Sequence, residues 1–480
     1  MKALATVIQV LCILVGFSIS QGNAVRADED DLLYRDLAPL RYDVKLQLHW
    51  ERSVRRTEQQ KDALTKQLRQ HLQASVSGSW KFEIQQQGPL PQADLATLRN
   101  WDGPLSQQLG TKTFLITIES RNGETVLGVR EGDHTTRQWG HVYHGTIQHD
   151  RYLATMLHRL IGQAFQPLYR ITQIERTQIE MIALAGEWTL PESLFSCFRP
   201  HGLARPALIY RNRDNEIQEI QMLPLTYLSL ESRERGRISA RLISAFPAPL
   251  GSGRSKRVEI WGLGGNPAPQ STSVKLVLQT DPSQVLMGHR VVVQPKRYLK
   301  DEAAGEPVEL LSDRLGIVQI SAIDEQQLVW LYVWSGEALL ARVPFVPGWS
   351  DRESLSLPDD AERLRVEGEL ERLRAELIAD VSRRAISRIR VLQAASTKDE
   401  DQVSRRLAAH NDLPGRAFYL SKLSLIETIG VREAEAARNR AAVARIKRSC
   451  SEMKTVINRF LNPDRDVELR EEAQSLLKLP

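Results

Sequence analysis

The sequence predicts a multidomain α+β protein with an N-terminal α+β domain, central all-β modules (sandwich or barrel) and a C-terminal α-helical region. One observation is that strand and amphipathic helix patterns are interleaved up to residue 176. A second is a series of short β-rich segments separated by Gly, Pro and Ser. A third is a change of composition after Pro347-Gly348, where Glu, Arg, Ala and Leu replace the strand formers.

A length of 480 residues indicates several domains, since one domain usually takes about 100–200 residues. Loops rich in Gly, Pro and Ser, at residues 246–255 and 262–273, separate two β modules. The predicted segments are a leader at 1–27, an α+β domain at 33–176, a β-rich module at 177–262, a β-sandwich at 273–347 and a charged helical region at 358–480.

Residues 1–27 have the composition of a secretory signal peptide. Lys2 precedes an apolar run from Ala3 to Ile19, and cleavage fits after Ala24 or after Ala27. The run is short for a membrane span, which needs about 20 residues, although an uncleaved N-terminal anchor is the alternative. We therefore expect an exported chain, periplasmic or extracellular, whose mature part has no transmembrane segment.

Two helices and a first strand are predicted in the N-terminal domain. Tyr42–Trp50 alternates between apolar and polar residues, as a half-buried strand does. Glu58–Ser75 carries apolar residues four apart, and Asp150–Phe165 has one continuous apolar face. Both patterns are typical of helices that pack on a sheet.

A hairpin completes this domain. Thr113–Glu119 and Thr125–Glu131 are predicted strands that flank Asn122-Gly123, a dipeptide favoured in tight hairpin turns. Trp80–Ile84 is a further short strand. The order of these elements predicts an antiparallel sheet with its helices on one face.

Short strands dominate the middle of the chain, with a spacing typical of sandwiches or small barrels. The segment Gly262-Leu-Gly-Gly265 predicts a turn, because glycine clusters usually mark turns. The predicted strands are Ile179–Leu184, Ala207–Tyr210, Leu225–Leu230, Arg237–Ile243, Lys256–Trp261, Val274–Gln279 and His289–Gln294.

Two resemblances arise from these segments. Met287–Val293 and Ser312–Ile320 resemble strands of a carboxypeptidase-regulatory or transthyretin-like domain, which implies an Ig-like β-sandwich with a scaffold or adhesion role and no site residue. With the segment Leu339–Gly348 and the charged tail, the whole layout resembles uncharacterised exported bacterial multidomain proteins, a group with no assigned activity.

Helices are predicted throughout the C-terminal region. Lys398–His410 is the second of them, and a third runs from Phe418 to Phe460 with a break at Gly430. No sustained heptad occurs, so the region is expected to pack as a helical hairpin or three-helix bundle rather than as a coiled coil. The first helix has one apolar stripe, formed by Leu370, Leu373, Leu377, Val381, Ala385, Ile389 and Leu392.

Histidines are unevenly distributed, with five of the ten between His134 and His158. His141, His144 and His149 are the candidate metal ligands of an exported metal-dependent hydrolase. However, residues three apart on a strand point to opposite faces, and no acidic residue or cysteine lies at zinc-site spacing. Solvated histidines are therefore favoured, and the hydrolase is kept as an alternative.

Basic residues are concentrated in the predicted helices, where residues 361–460 contain 21 Lys and Arg against 14 Asp and Glu. Such helix faces bind phosphate or an anionic polymer, or are simply solvated. No aromatic residues are interleaved, so no specific nucleic acid is expected. The anion-binding candidates are Arg383, Arg384, Arg388 and Arg390, followed by a second basic run at Arg438, Arg440, Arg445, Lys447 and Arg448.

No catalytic motif and no cofactor-binding motif occurs in the sequence. Beyond the leader, Cys197 and Cys450 are too few for a disulfide framework, and their spacing leaves open whether they form one bridge or remain buried thiols. The sequence therefore favours an exported non-catalytic scaffold or interaction protein, whose partners are other envelope proteins or a second copy of itself. An anionic-polymer binder is the other alternative.

Overall fold

The computed structural model describes residues 31–478, except 52–53, 55, 107, 122, 191–192, 252–256, 268–270, 298–305, 322–326 and 337. The predicted signal peptide, residues 1–27, lies outside the described residues. The chain divides into two compact units, of which the first comprises Met1–Leu276 and Leu286–Leu355 and the second Val277–Val285 and Ser356–Pro480. The fold class predicted from the sequence is confirmed, since sheets fill the first unit and helices fill residues 361–478.

The first unit begins with a five-stranded sheet of order β2-β1-β3-β4-β5. β1 runs parallel to both β2 and β3, so the sheet is mixed rather than antiparallel. The reason is that two crossovers, which carry the helices Glu58–Val76 and Leu95–Asn100, each return the chain to the same end of the sheet. The elements are β1 (Tyr42–Trp50), α1 (Glu58–Val76), β2 (Trp80–Gln85), α2 (Leu95–Asn100), β3 (Thr111–Arg121), β4 (Glu124–Asp133), β5 (Gln138–Ile147) and α3 (Leu153–Ala164).

The two long helices cover one face of this sheet, as the sequence predicts. Leu68 of α1 and Leu157 of α3 are fully buried in the same apolar cluster as Phe114 and Ile116 of β3. The short helix α2 packs on the other face, where its Leu98 contacts a cluster that includes Leu115. Both faces of β3 are therefore buried, which explains its almost continuous burial.

Seven strands follow, in the order β10-β11-β7-β6-β12-β8-β9. A further pairing of β10 with β8 closes six of them into a barrel and leaves β9 outside it. The hairpin of β6 and β7 spans the boundary predicted between residues 176 and 177. The strands are β6 (Leu168–Glu175), β7 (Gln178–Ala183), β8 (Leu203–Arg211), β9 (Ile217–Met222), β10 (Thr226–Glu234), β11 (Arg237–Ser244) and β12 (Val258–Gly265).

The glycine cluster at residues 262–265 belongs to a strand, so the turn predicted there is wrong. These residues end β12 and pair with β8. A Cβ atom at Gly264 would lie 2.8 Å from the ring of Pro167. Glycine is needed here because the segment that contains Pro167 approaches this barrel strand closely.

Seven further strands form two small sheets, of order β16-β13-β19 and β15-β14-β17-β18. They include the strands predicted near Val274 and His289. The transthyretin-like resemblance stays a prediction, because strand order alone does not define that family. The strands are β13 (Thr272–Leu278), β14 (Arg290–Gln294), β15 (Val308–Leu311), β16 (Ile317–Ile320), β17 (Val329–Ser335), β18 (Ala338–Phe345) and β19 (Arg352–Leu357).

The second unit contains five helices in its described part and is called the helical unit below. The predicted third helix is interrupted at residues 437–439, where Asn439 caps α7 through its side chain. An additional helix, α8, follows Asn462-Pro463. The helices are α4 (Ala361–Ser396), α5 (Glu400–Asn411), α6 (Arg416–Ala436), α7 (Arg440–Phe460) and α8 (Asp464–Lys478). Among residues 31–478 with the gaps given above, no helix is long and apolar enough to cross a membrane.

The apolar stripe predicted along α4 is only partly buried. Leu373 and Leu377 lie in the core, whereas Ala385 and Ile389 are exposed. Each step of four residues overshoots one helical turn by about 40°, so a row of such steps winds away from the face on which it started. In the last turns of α4 the buried residues are instead Val391, Ala394 and Ala395. They form a second cluster with residues of α5 and α8.

Gly430 lies within α6 and does not break it. A Cβ atom there would lie 2.4 Å from a methyl group of Val366 on α4 and 3.6 Å from Ile446 on α7. Glycine therefore permits three helices to approach one another. Gly368 of α4, by contrast, is exposed and has open space around it.

We expect Gly430→Ala to destabilise the helical unit by about 1–3 kcal/mol, because the added methyl overpacks the helix contact. Gly368→Ala is the matched control and should stabilise it by about 1 kcal/mol through helix propensity. Urea unfolding followed by circular dichroism at 222 nm measures both variants. Equal effects of the two substitutions would contradict the close approach.

Candidate functional site

The structure does not gather the histidines proposed as metal ligands. His141 of β5 is largely buried, and its Nδ1 lies 3.3 Å from Asp351 Oδ1. His144 and His149 are exposed. Burial lowers the pKa of His141, although the charge of Asp351 opposes the shift, so the ring is neutral at neutral pH. Within the described residues, no group of three or more His, Cys, Asp or Glu is arranged to hold a metal ion.

The four arginines proposed as an anion site separate into two pairs. Arg384 and Arg388 line a cavity between helices. Arg383 is exposed and donates to Asp380 at 2.9 Å, and Arg390 is also exposed. Neither of them lines the cavity. In the second basic run, Arg448 pairs with Glu452 and none of the five residues lines the cavity either.

Arg384 organises the cavity. Its Nη1 lies 3.1 and 3.2 Å from the two carboxylate oxygens of Asp466 on α8. Its Nη2 donates to the carbonyl of Leu413 at 2.9 Å, and its Nε to that of Pro414 at 3.3 Å. A planar guanidinium with several donors suits such a junction. One side chain of α4 thereby connects the α5–α6 loop with α8.

Asp466 also accepts from a histidine. His410 lies in the last turn of α5, is almost fully buried, and places Nε2 3.2 Å from Asp466 Oδ1. Its Nδ1 is buried and has no hydrogen-bond partner among the described residues. Because a buried polar atom without a partner is costly, this nitrogen is a position where a bound group would be stabilised.

The cavity has a volume of about 190 Å³ and a strongly basic lining. Of its four arginines, Arg384 pairs with Asp466 and Arg388 donates to Glu472 at 2.8 Å. Arg416 and Arg465 are exposed and have no ion-pair partner in the part of the chain that the structure describes. The lining residues are Val381, Arg384, Ala385, Arg388, His410, Gly415, Arg416, Phe460, Leu461, Asn462, Pro463, Arg465, Asp466 and Leu469.

A helix N-terminus adds to this positive potential. α6 begins behind Gly415, which offers no side-chain acceptor, and its first turn contains no acidic residue. Free N–H groups at the start of a helix of 21 residues favour an anion. The N-terminus of α6 and the arginines of the cavity therefore both favour an anionic ligand.

Sequence reasoning missed four members of this site: His410, Arg416, Arg465 and Asp466. One weak signal was present, since Arg416 follows Asp-Leu-Pro-Gly at a helix start, where an acidic residue is usual. The other three residues come from helix ends separated by up to 56 positions, and only packing brings them together.

A second charge cluster lies buried in the first unit. Lys112 of β3 places Nζ 2.7 Å from Glu131 Oε1 and 2.9 Å from Asp133 Oδ2, and all three side chains are fully buried. Gln166 N donates to Glu131 at 2.9 Å, and Thr136 donates to Asp133 through both its N–H and its hydroxyl at 2.7 Å. The cluster is enclosed and fully hydrogen-bonded, so its role is structural.

The pKa values in this triad follow from burial. Burial raises the pKa of Glu131 to about 7, although the charge of Lys112 opposes the shift. For Lys112, burial alone lowers the pKa, but the carboxylates of Asp133 and Glu131 outweigh it and the net direction is upward. The lysine therefore remains charged while Glu131 holds a proton close to neutral pH.

The two described cysteines are free thiols. Cys197 is buried in the first unit and Cys450 in the core of the second. Burial raises the pKa of both thiols, which leaves them protonated at neutral pH. Neither residue therefore has the properties of a reactive nucleophile.

No model of a protein family matches this sequence, and a search of curated proteins finds no match. Among solved structures, the chain aligns with TolB from Acinetobacter baumannii at 12% sequence identity, over 65% of this chain and 70% of that chain, with a TM-score of 0.17. A TM-score of this size does not indicate a common fold, so this alignment supports no inference about the chain.

We expect Lys112→Met to destabilise the first unit by about 3–5 kcal/mol, because it leaves two carboxyl groups buried without a cation. Neutralising the whole triad, by combining Lys112→Met with Glu131→Gln and Asp133→Asn, should recover most of the loss. All nine tryptophans lie in the first unit, so tryptophan fluorescence during urea unfolding measures this unit alone. A single variant as stable as the natural chain would contradict the structural role.

The raised pKa of Glu131 predicts a pH dependence of stability. Between pH 4.5, its ordinary pKa, and about 7, the folded state holds a proton that the unfolded state has lost. Stability therefore falls as the pH rises through this range. Glu131→Gln replaces the titrating carboxyl group with an amide. The fall in stability between pH 5 and pH 7.5, measured by fluorescence, should therefore be smaller in this variant. The same fall in both proteins would show that other groups cause it.

Proposed function

We propose that the protein is an exported, non-catalytic binding protein of the bacterial cell envelope or exterior, whose helical unit binds an anionic group. The basic cavity between α4, α6 and α8 is the observation that supports this proposal. Arg416 and Arg465 are available to a ligand because they have no ion-pair partner among the described residues. Arg384 holds their supporting elements in place.

The size of the cavity limits its ligand. About 190 Å³ is below the range of roughly 300–1,000 Å³ that is usual for drug-sized ligands. The site therefore suits one compact anionic group, such as a phosphate, rather than an extended chain. If the ligand is an anionic polymer, one of its charged groups enters the cavity and the rest lies outside.

Charge-assisted hydrogen bonds from arginine contribute about 1.5–3 kcal/mol each. We therefore expect Arg416→Glu with Arg465→Glu to weaken the binding of inorganic phosphate by about a hundredfold or more. Isothermal titration calorimetry at low ionic strength measures the affinity, which should fall as salt is added.

The matched control is Arg432→Glu with Lys447→Glu. It changes the net charge of the helical unit by the same amount, and both residues are exposed and lie outside the cavity lining. Phosphate affinity should be almost unchanged in this variant. A natural protein that binds no phosphate, or two double variants that lose affinity equally, would contradict the proposed site.

A further inference from the structure

Exposed apolar side chains lie on α4 and α7, two of the helices that line the basic cavity. Phe460 lines the cavity and is 44% exposed. Ile386 and Ile389 directly follow Ala385 and Arg388, which also line it, and they are 52% and 58% exposed. Large exposed apolar side chains beside an anion site indicate that the ligand has an apolar part.

The positive charge of the same segment of α4 indicates that the ligand is also anionic. Residues 381–398 contain Arg383, Arg384, Arg388, Arg390 and Lys398 and no acidic residue. Arg390 is exposed and has no ion-pair partner among the described residues. Exposed isoleucines between arginines are typical of helices that lie at the surface of an anionic bilayer.

We propose that the helical unit docks on an anionic membrane surface, with a lipid phosphate in the basic cavity and Phe460, Ile386 and Ile389 against the acyl region. This inference rests on the proposed anion-binding function and names its ligand as an anionic phospholipid. A free anion would gain nothing from the exposed apolar side chains.

A second copy of the chain is disfavoured at this surface. A two-fold interface places the same patch on both partners. Arg390, Arg416 and Arg465, which have no ion-pair partner among the described residues, would then lie near their own copies, and like charges repel. An anionic bilayer instead contributes about 1 kcal/mol of attraction for each Lys or Arg near its surface.

The test is co-sedimentation of the mature chain with vesicles. Vesicles that contain phosphatidylglycerol should bind the protein, and vesicles of phosphatidylcholine alone should bind it much less. Ile386→Ser with Ile389→Ser should weaken binding to the anionic vesicles at least about tenfold, because each buried isoleucine contributes about 1.5–3 kcal/mol. Both isoleucines are exposed, so the fold should not change.

Leu425→Ser is the matched control, since Leu425 of α6 is 62% exposed and does not line the cavity. It should leave vesicle binding unchanged. Phosphate binding by the isoleucine variant should also equal that of the natural chain, which distinguishes the apolar contact from the anion site.

Three outcomes overturn the membrane proposal. The first is phosphate binding without any preference for anionic vesicles, which leaves the anion-binding function intact. The second is a natural chain that forms dimers in solution and an isoleucine variant that is monomeric, which identifies a second copy as the occupant. The third is equal loss of vesicle binding in the Leu425 and isoleucine variants.

Discussion

The proposed site depends on the hydrogen bonds of one guanidinium. Arg384 is the only described residue that joins α4 to the loop before α6 and to Asp466 of α8. The two loop carbonyls and the carboxylate need a planar group with several donors, which lysine does not offer. With these segments fixed, Arg416 and Arg465 line one opening, and the lining has more positive than negative charge.

The first unit uses buried charge differently. Lys112, Glu131 and Asp133 are enclosed and hydrogen-bonded, so none of them is available to a ligand. The cluster connects the β3–β4 hairpin with the chain after α3 through Gln166. Buried ionic groups with complete hydrogen bonding specify a packing arrangement, whereas exposed arginines beside a cavity remain available for binding.

Local patterns located most elements but not the site. The four-residue spacing in α1 predicted its buried face, and the alternation in β1 predicted a strand. The parallel pairing of β1 was not predictable, because strand direction depends on where the crossover helix returns. Arg384 and Arg390 looked alike in the sequence, yet Arg384 lines the cavity and Arg390 is exposed outside it.

The sequence alone determined the division into sheets and helices, because periodicity and turn residues act over a few neighbouring positions. It also determined the excess of positive charge in residues 361–460. Only the tertiary structure decided which arginines meet, why Gly430 lies where three helices approach, and that β12 continues through its glycines. These features depend on contacts between segments distant in the chain, and local residue patterns do not specify such contacts.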